Sequence, residues 1–407
     1  MKPRQLARGK RNRGKRGASL RRGVCYACAI ISTVRAIMGS TLLTPYTMRG
    51  LALPNRIVIS PMGQYSAREG GYASDWHMVH LGHLSLSGAG LLITEATAVH
   101  PHGRISKHDM GMWSDEHAAA LEPVIAFCRK HGGAKLGMQL YHAGRKGSVS
   151  VAWEGQKPIA VEEGGWPIVS ASASAYPGRA MPRALEVAEI KEMVRAFASA
   201  ARRADKLGLD LIELHGAHGY LIHGFLSPLV NQRTDDYGGS LQNRMRFILE
   251  VFDAMRAAWP ERKPLGVRLS CTDWVDGGWD VDDSVELAIE LKKRGCDFIT
   301  ASSGGAAIEQ KLKVFPNYQV PFAERIRREA DIPTMAVGLI TEPDQAEAIL
   351  TEGKADLIAM ARGMLYNPRW PWHAAAHFGG EVFYPKQYDR AHPSMRLGNF
   401  LKPVREK

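Results

Sequence analysis

The sequence is poor in cysteine and has no long apolar run. Its 407 residues include only five cysteines: Cys25, Cys28, Cys128, Cys271 and Cys296. A sparse, odd-numbered set does not indicate a disulfide framework, and a chain of this length can bury enough surface to fold without one. No apolar stretch reaches the ~18–20 residues of a membrane span. We therefore expect a cytoplasmic protein with no membrane partner.

The first forty residues contain no acidic side chain. Residues 1–40 contain eleven Lys or Arg and no Asp or Glu, whereas the remainder has 42 basic and 41 acidic residues. The net charge of +12 is therefore a property of this leader. Since the rest of the chain is nearly neutral, we expect no nucleic-acid partner.

The leader itself allows three interpretations. Its apolar stretch is interrupted by Ser32, Thr33 and Arg35, which fits a secretory signal poorly. An acid-free, Arg-rich leader also fits an organelle transit peptide. The interpretation we favour is a start codon assigned too early, with Met38 as the first residue. We expect residues 1–40 to be disordered or mis-assigned, and residues 41–407 to form one domain with a C-terminal extension.

A zinc or redox motif is suggested only weakly. Cys25-x-x-Cys28 has the required spacing, but it lies in the leader without a second Cys or His pair. We expect no metal site there.

From residue 56 onward, short apolar runs alternate with amphipathic segments. The runs are continuous, as expected of strands buried on both faces. They are 56–62, 91–99, 136–141, 209–215, 265–270, 298–302, 334–337 and 357–360. Helical patterns lie between them from residue 114, over 186–207, over 282–294 and over 341–353, the last three ending at Gly208, Gly295 and Gly353.

Eight strand–helix repeats indicate either a closed parallel barrel or a doubly wound open sheet. No Gly-x-Gly-x-x-Gly follows a strand, so the dinucleotide fingerprint of an open sheet is missing. Functional-looking residues instead follow several different strands, and such residues converge only in a barrel. They are His215, His218, Arg268, Ser302, Ser303, Gly304, Gly338 and Arg362. We predict a (β/α)₈ TIM barrel, with the long loop 144–182 shaping its active site.

Specific motifs across residues 42–390 resemble the old yellow enzyme family of flavin-dependent ene-reductases. They are Ser60-Pro61-Met62, Gly103-Arg104-Ile105, His142-Ala143-Gly144-Arg145, the run from His215 to Ile222, Phe225-Leu226-Ser227-Pro228, the run from Asn231 to Asp235, Tyr237-Gly238-Gly239-Ser240 and Asn243-Arg244. The ending Gln387-Tyr388-Asp389-Arg390 is similar to that of the bacterial xenobiotic-reductase branch.

The resemblance implies FMN as cofactor, NADPH or NADH as reductant and an activated alkene as substrate. His215 and His218 would hold the substrate oxygen, where two N–H donors stabilise developing enolate charge. Tyr220 would donate the proton to the α-carbon, because a phenol is protonated at neutral pH. Tyr65 would line the pocket, and Arg390 would reach into a neighbour's site in a homodimer or higher oligomer.

Other interpretations of these residues remain open. Two histidines at this spacing also suit a metal, although no further ligand lies nearby in sequence. They could equally be packed core histidines, Tyr220 a packing residue, and Arg390 a solvated charge.

Flavin contacts are assigned on the same resemblance. Gln139 and Arg268 match positions beside the flavin's pyrimidine edge, although a buried Arg268 could simply be paired structurally. Arg362, with the backbone near Gly338 and Gly363, matches the phosphate site that barrels place after strands seven and eight. The alternative for Arg362 is a surface ion pair. The remaining predicted cofactor contacts are Ser60, Pro61, Met62, Gly63, Ala96, Ser303 and Gly304.

The sequence departs from that branch at Gly63, where it usually has a cysteine beside the reactive edge of the flavin. We expect a differently poised flavin that is insensitive to thiol oxidation. Two other functions remain open: a non-catalytic flavoprotein redox sensor, and another FMN-dependent barrel oxidoreductase.

Overall fold

A computed structural model describes residues 39–391, and these contain a closed barrel of eight parallel strands. The strands are β1 (Ile57–Ile59), β2 (Leu91–Ala98), β3 (Lys135–Tyr141), β4 (Leu211–Gly216), β5 (Leu265–Ser270), β6 (Ile299–Ser302), β7 (Thr334–Ala336) and β8 (Leu357–Met360). They pair in chain order, and β8 closes the barrel on β1. The predicted TIM barrel is confirmed, with all eight strands at the predicted places.

Ten helices surround or follow the strands in the described part of the chain. They are α1 (Asp75–Ser85), α2 (Asp115–His131), α3 (Val187–Lys206), α4 (Leu221–Leu226), α5 (Leu241–Ala258), α6 (Val281–Lys293), α7 (Val320–Glu329), α8 (Pro343–Thr351), α9 (Arg362–Tyr366) and α10 (Trp370–Phe378). None of them is long and apolar enough to cross a membrane.

Local sequence explains several helix ends. The side chain of Asp280 caps α6 by accepting the backbone N–H groups of Asp282 and Asp283. The glycines predicted to end α3, α6 and α8 adopt positive φ angles of 77°, 84° and 71°. Glycine has no Cβ and adopts this conformation without steric cost. At each of the three positions the chain can therefore turn directly into the next strand.

The apolar interior of the barrel is covered at its N-terminal end by a short hairpin. Its strands, Tyr46–Met48 and Leu51–Leu53, pair antiparallel. Met48, Leu51 and Leu53 belong to one buried cluster with residues at the strand starts, among them Leu91 and Leu211. Because this end is filled, ligands can enter the barrel only at the carboxyl ends of the strands.

The long loop after β3 has secondary structure of its own. It contains three short 3₁₀ turns and a two-stranded pair, Val169–Ser170 with Arg183–Ala184. Trp166 and Ile168 of this loop are buried. The loop therefore forms a fixed wall on the open face of the barrel.

The two predictions on the leader, including Cys25-x-x-Cys28, fall almost entirely outside the described residues. Within them, the chain packs from Ser40 onward: Ser40 Oγ and the backbone N–H groups of Thr41 and Leu42 donate to the Glu347 carboxylate.

Candidate active site

Two adjoining cavities open at the carboxyl ends of the strands. The larger is about 380 Å³ and lies among the loops after β5 to β8, and the smaller is about 160 Å³ and lies above β1 to β5. His218 and Arg268 line both. The two spaces therefore meet at these side chains.

Most predicted site residues line one cavity or the other. The larger cavity contains Ser60, His218, Arg268, Ser303, Gly338, Arg362 and Gly363. The smaller contains Pro61, Gly63, Tyr65, Ala96, Gln139, His215, His218, Tyr220 and Arg268. Three predicted residues line neither: Met62 packs against the core, Gly304 accepts a hydrogen bond from Ser270, and Arg390 is exposed near the end of the described chain.

The two histidines at the end of β4 point towards each other. His215 Nδ1 accepts the backbone N–H of Ala217 at 3.1 Å, so its proton is on Nε2. That nitrogen lies 3.2 Å from Nδ1 of His218. Burial, followed by the nearby Arg268 charge for His215 and the His215 charge for His218, holds both pKa values well below the ordinary range. Both rings are therefore neutral near pH 7 and can donate one N–H each.

Tyr220 stands beside this pair at the start of α4. Its ring centroid lies 5.0 Å from that of His215 and 5.6 Å from that of Tyr141. Burial is the main cause that raises its pKa above the ordinary value, and the Tyr65 and Asp109 charges add to it. The phenol therefore keeps its proton at neutral pH, as a general acid must.

Gln139 is held by a buried carboxylate, Glu213, whose charge also acts on Arg268. Glu213 accepts hydrogen bonds from Gln139 Nε2 at 2.7 Å and from the Thr300 hydroxyl at 2.5 Å. Burial lowers the pKa of Arg268, and the charge of Glu213 counteracts this effect. Arg268 Nη1 donates to Ser60 Oγ at 2.8 Å. The Nε atom of Arg268 is buried and has no hydrogen-bond partner in the described part of the chain.

These features fit a flavin nucleotide. An unpartnered guanidinium N–H between the two cavities suits a carbonyl or ring nitrogen acceptor, since buried donors in proteins are nearly always satisfied. Arg362 and the start of α9 border the larger cavity. A Cβ added to Gly363 would meet only Ile340 O, at 3.8 Å. The backbone there is open to a phosphate, as at other barrel phosphate sites.

Lys146, which the sequence analysis did not predict, also lies beside the site. Its Nζ donates to His218 O at 2.8 Å and to Gly305 O at 2.7 Å, and it lies 5.5 Å from the Tyr220 ring centroid. Burial, then the Arg145 and Arg179 charges, lower its pKa to about 7. Its position directly after His142-Ala143-Gly144-Arg145 was the available signal.

Asp109 and Tyr141 also line the smaller cavity and were not predicted. The Tyr141 hydroxyl donates to Asp109 Oδ2, and the same carboxylate accepts the backbone N–H groups of Ile105 and Ser106. The aspartate therefore organises the loop after β2. No sequence signal identified this contact, because it joins the loop after β2 to the end of β3, and the two residues are 32 positions apart.

Comparison with known proteins assigns the chain to a family. Residues 41–379 match the model of the NADH:flavin oxidoreductase / NADH oxidase family. The chain belongs to the old yellow enzyme family. The NADPH dehydrogenase of Geobacillus sp. (strain WCH70) is 46% identical over 355 residues, which cover 87% of this chain and 99% of that protein. The NADPH dehydrogenase of Bacillus subtilis (strain 168) is 43% identical over the same shares of both chains.

Solved structures agree with this assignment. Morphinone reductase is 28% identical and superposes with a TM-score of 0.70, covering 88% of this chain and 93% of its own. A second structure of morphinone reductase, in complex with tetrahydroNAD, gives a TM-score of 0.68 at 29% identity. This old yellow enzyme family member is an FMN-dependent, NAD(P)H-dependent oxidoreductase, as the sequence predicted. Its membership of the xenobiotic-reductase branch stays a prediction.

Proposed function

We propose that this protein is an ene-reductase that reduces activated carbon–carbon double bonds in enones, enals, maleimides and nitro-olefins. The observation that carries the proposal is the meeting of two neutral imidazoles and one protonated phenol in a single 160 Å³ cavity. Polar addition of hydrogen across such a bond requires hydrogen-bond donors for the substrate oxygen and a proton source for the α-carbon.

Gln139 and Arg268 would hold FMN, which when bound and reduced by NADPH would supply the hydride for the β-carbon of the alkene. The N–H groups of His215 and His218 hold the substrate's carbonyl or nitro oxygen. They stabilise the negative charge that develops there. Because both rings are neutral, they need no carboxylate partner in the buried site. Tyr220 O–H then gives its proton to the α-carbon and recovers one from solvent, so that one hydride and one proton are added.

In its protonated form, Lys146 adds a positive charge to this arrangement, and its pKa of about 7 leaves part of it protonated at neutral pH. It has two carbonyl acceptors, and the charges that act on its pKa are those of Arg145 and Arg179. A buried positive charge beside Tyr220 favours the phenolate left after proton donation. We treat it as an electrostatic aid to the proton transfer.

The proposal is tested with the full chain and a visible spectrum under anaerobic conditions. We expect a yellow protein that NADPH bleaches and that 2-cyclohexenone restores to its oxidised colour, with cyclohexanone as product. A protein that NADPH bleaches but that no alkene of the four classes reoxidises would contradict the proposal and favour a redox sensor. NADH at the same concentration measures the nicotinamide preference, which we expect to favour NADPH.

We also propose that the protein acts as a homodimer, or a higher oligomer, in the cytoplasm. Tyr388, two residues before Arg390, is 41% exposed, and Tyr366 is 94% exposed; aromatic side chains are enriched at protein interfaces. Cys128, Cys271 and Cys296 are buried free thiols, as is usual in a reducing compartment. Light scattering and cell fractionation test the two statements. A monomer at micromolar concentration would contradict the first, and recovery outside the cytoplasm would contradict the second.

A further inference from the structure

The peptide group between His218 and Gly219 is held on both sides by buried side chains. Its carbonyl accepts from Lys146 Nζ at 2.8 Å, and its N–H donates to Nδ1 of His223 at 2.8 Å. His218 and Gly219 both adopt positive φ angles, 61° and 72°. A non-glycine residue rarely adopts this conformation, so neighbouring contacts must maintain it at His218.

Packing alone blocks only one direction of movement. A Cβ at Gly219 would lie 2.2 Å from Gly305 O, and one at Gly305 would lie 2.7 Å from the Cα of His218. The two loops therefore touch backbone to backbone, and the peptide group cannot move towards the loop after β6. Its rotation is limited by the hydrogen bonds at its two ends.

His223 is itself orientated by a carboxylate. Since its Nδ1 accepts the Gly219 N–H, its proton is on Nε2, which lies 3.1 Å from Asp273 Oδ1. Both side chains are fully buried. The contact is close but is not aligned as a hydrogen bond, since within residues 39–391 neither atom has a hydrogen-bond partner. A carboxylate facing one imidazole nitrogen fixes the tautomer and leaves the other nitrogen as an acceptor.

Asp273 is held firmly enough to serve in this way. Its Oδ2 accepts from the Ser227 hydroxyl at 2.6 Å and from the backbone N–H of Trp279 at 2.9 Å. Burial alone would raise the pKa of Asp273, but the His223 contact and these hydrogen bonds outweigh it and hold the pKa below the ordinary value. The aspartate is therefore ionised at neutral pH.

We propose that His223 and Asp273 form a positioning pair for the active-site loop. The carboxylate fixes the imidazole, the imidazole accepts the Gly219 N–H, and this contact sets the placement of His218 and Tyr220 on either side of Gly219. Neither His223 nor Asp273 lines the two cavities of the site, so the pair acts through the loop and does not touch substrate. The inference rests on the proposed roles of His218 and Tyr220.

Two amide substitutions separate the two contacts of His223. Asn places its carbonyl oxygen near the position of Nδ1 and can still accept the Gly219 N–H. Gln places its amide nearer the position of Nε2, so it can face Asp273 but leaves the Gly219 N–H unsatisfied. A buried unsatisfied donor is the costlier state. We expect His223→Gln to slow reoxidation by 2-cyclohexenone by roughly tenfold or more, and His223→Asn to recover it to within about threefold.

The readout is the ratio of two rates measured by rapid mixing, reduction by NADPH and reoxidation by 2-cyclohexenone. Only the second requires the proton from Tyr220, so a misplaced loop changes the ratio, whereas general destabilisation does not. The matched control is His117→Gln. His117 is also buried and faces a backbone group, Gly70 O at 2.9 Å, but it lines neither cavity. We expect this control to lower Tm and leave the ratio unchanged.

An unchanged ratio in His223→Gln, or an Asn variant no better than Gln, would overturn the positioning pair. The positioning pair would also be overturned if His223→Gln lost FMN in proportion to its loss of rate. If neither variant folds, nitrogen NMR of the histidine rings in the native protein decides: a proton on Nδ1 of His223 contradicts the inference, and one on Nε2 supports it. Failure of the proposed function is recognised separately, because the native protein would then not be reoxidised by any alkene.

Discussion

The Ser302 hydroxyl lies 2.8 Å from Nε2 of His218. This is the nitrogen of the ring that does not face His215. When Ser302 donates to it, the proton of the neutral ring is on Nδ1 and faces the Nε2–H of His215. The two N–H groups then cannot bond to each other, and a substrate oxygen placed beside them accepts from both. The same hydroxyl is 3.3 Å from Gln319 Oε1, a longer and weaker alternative.

Replacement of this hydroxyl tests its part in the tautomer. We expect Ser302→Ala to slow alkene reduction about fivefold, the value of one net hydrogen bond of ~1 kcal/mol. Ser302→Thr keeps the hydroxyl and is the matched control. Since Ser302 also lines the larger cavity, FMN affinity is measured in both variants. Equal rates in the Ala and Thr variants would contradict the assignment.

Removal of the Tyr220 hydroxyl should affect only one half of the reaction. We expect Tyr220→Phe to slow reoxidation by 2-cyclohexenone by about 10²–10⁴-fold, the usual contribution of general acid catalysis. Reduction by NADPH should remain close to the native rate. Tyr141→Phe is the control, because this phenol lines the same cavity but donates to Asp109. If Tyr141→Phe slowed reoxidation more than Tyr220→Phe, Tyr141 and Asp109 would be the proton source in place of Tyr220.

Lys146 should make stability depend on pH. Its pKa is about 7 in the folded protein, below the ordinary lysine value of 10.5, so folding disfavours its charged form. Between pH 7 and about 10 the unfolded chain binds the extra proton, and the contribution of Lys146 to stability rises by at most ~1.4 kcal/mol per pH unit. Lys146→Arg stays charged throughout and should lack this rise. Chemical denaturation at pH 7 and 9 measures it, and parallel slopes in both proteins would refute it.

Gly63 can accept the cysteine that the resemblance leads one to expect. A Cβ there would meet Tyr65 ring atoms at 3.8–4.0 Å, ordinary contact distances. We expect Gly63→Cys to fold, to bind FMN and to shift the flavin midpoint potential by ~20 mV, if one hydrogen bond of ~1 kcal/mol distinguishes the two redox states. Gly63→Ala separates the effect of volume from that of the thiol. Identical potentials in all three proteins would exclude tuning at this position.

Arg362 should contribute to FMN affinity. We expect Arg362→Ala to weaken FMN binding by about 10–100-fold, since hydrogen bonds to charged groups contribute ~1.5–3 kcal/mol. Arg369→Ala is the control, because Arg369 instead stacks on Trp372, 4.2 Å from the ring centroid. Fluorescence titration of the protein stripped of flavin gives both dissociation constants. Equal losses in the two variants would contradict a phosphate role for Arg362.

The barrel could be predicted because its signals are local. Each strand is a continuous apolar run, and the positive-φ glycines after α3, α6 and α8 mark where each helix ends. Residues directly after the strands also had to meet, since the carboxyl ends of parallel strands share one face. That argument placed His215, Arg268 and Arg362 correctly on the open face.

Contacts between distant segments could not be predicted in the same way. Glu213 bonds to Thr300 across 87 residues, and His223 faces Asp273 from a different loop. A register shift between β2 and β3 also frees Glu95 to bond to His77, at 2.9 Å. Such pairs depend on the three-dimensional placement of loops, which periodicity does not encode. Met62 and Gly304 were assigned by their position in the sequence, and neither lines the two cavities of the site.

The contacts of Glu347 define how far the chain can be shortened from its N-terminus. This buried carboxylate receives three donors from Ser40, Thr41 and Leu42, and the hairpin that follows covers the bottom of the barrel. Trimming past residue 39 would leave a charged group without its donors and then uncover apolar side chains such as Phe298. The barrel therefore has a built-in minimum length at this end, and a tag or fusion partner belongs ahead of Ser40.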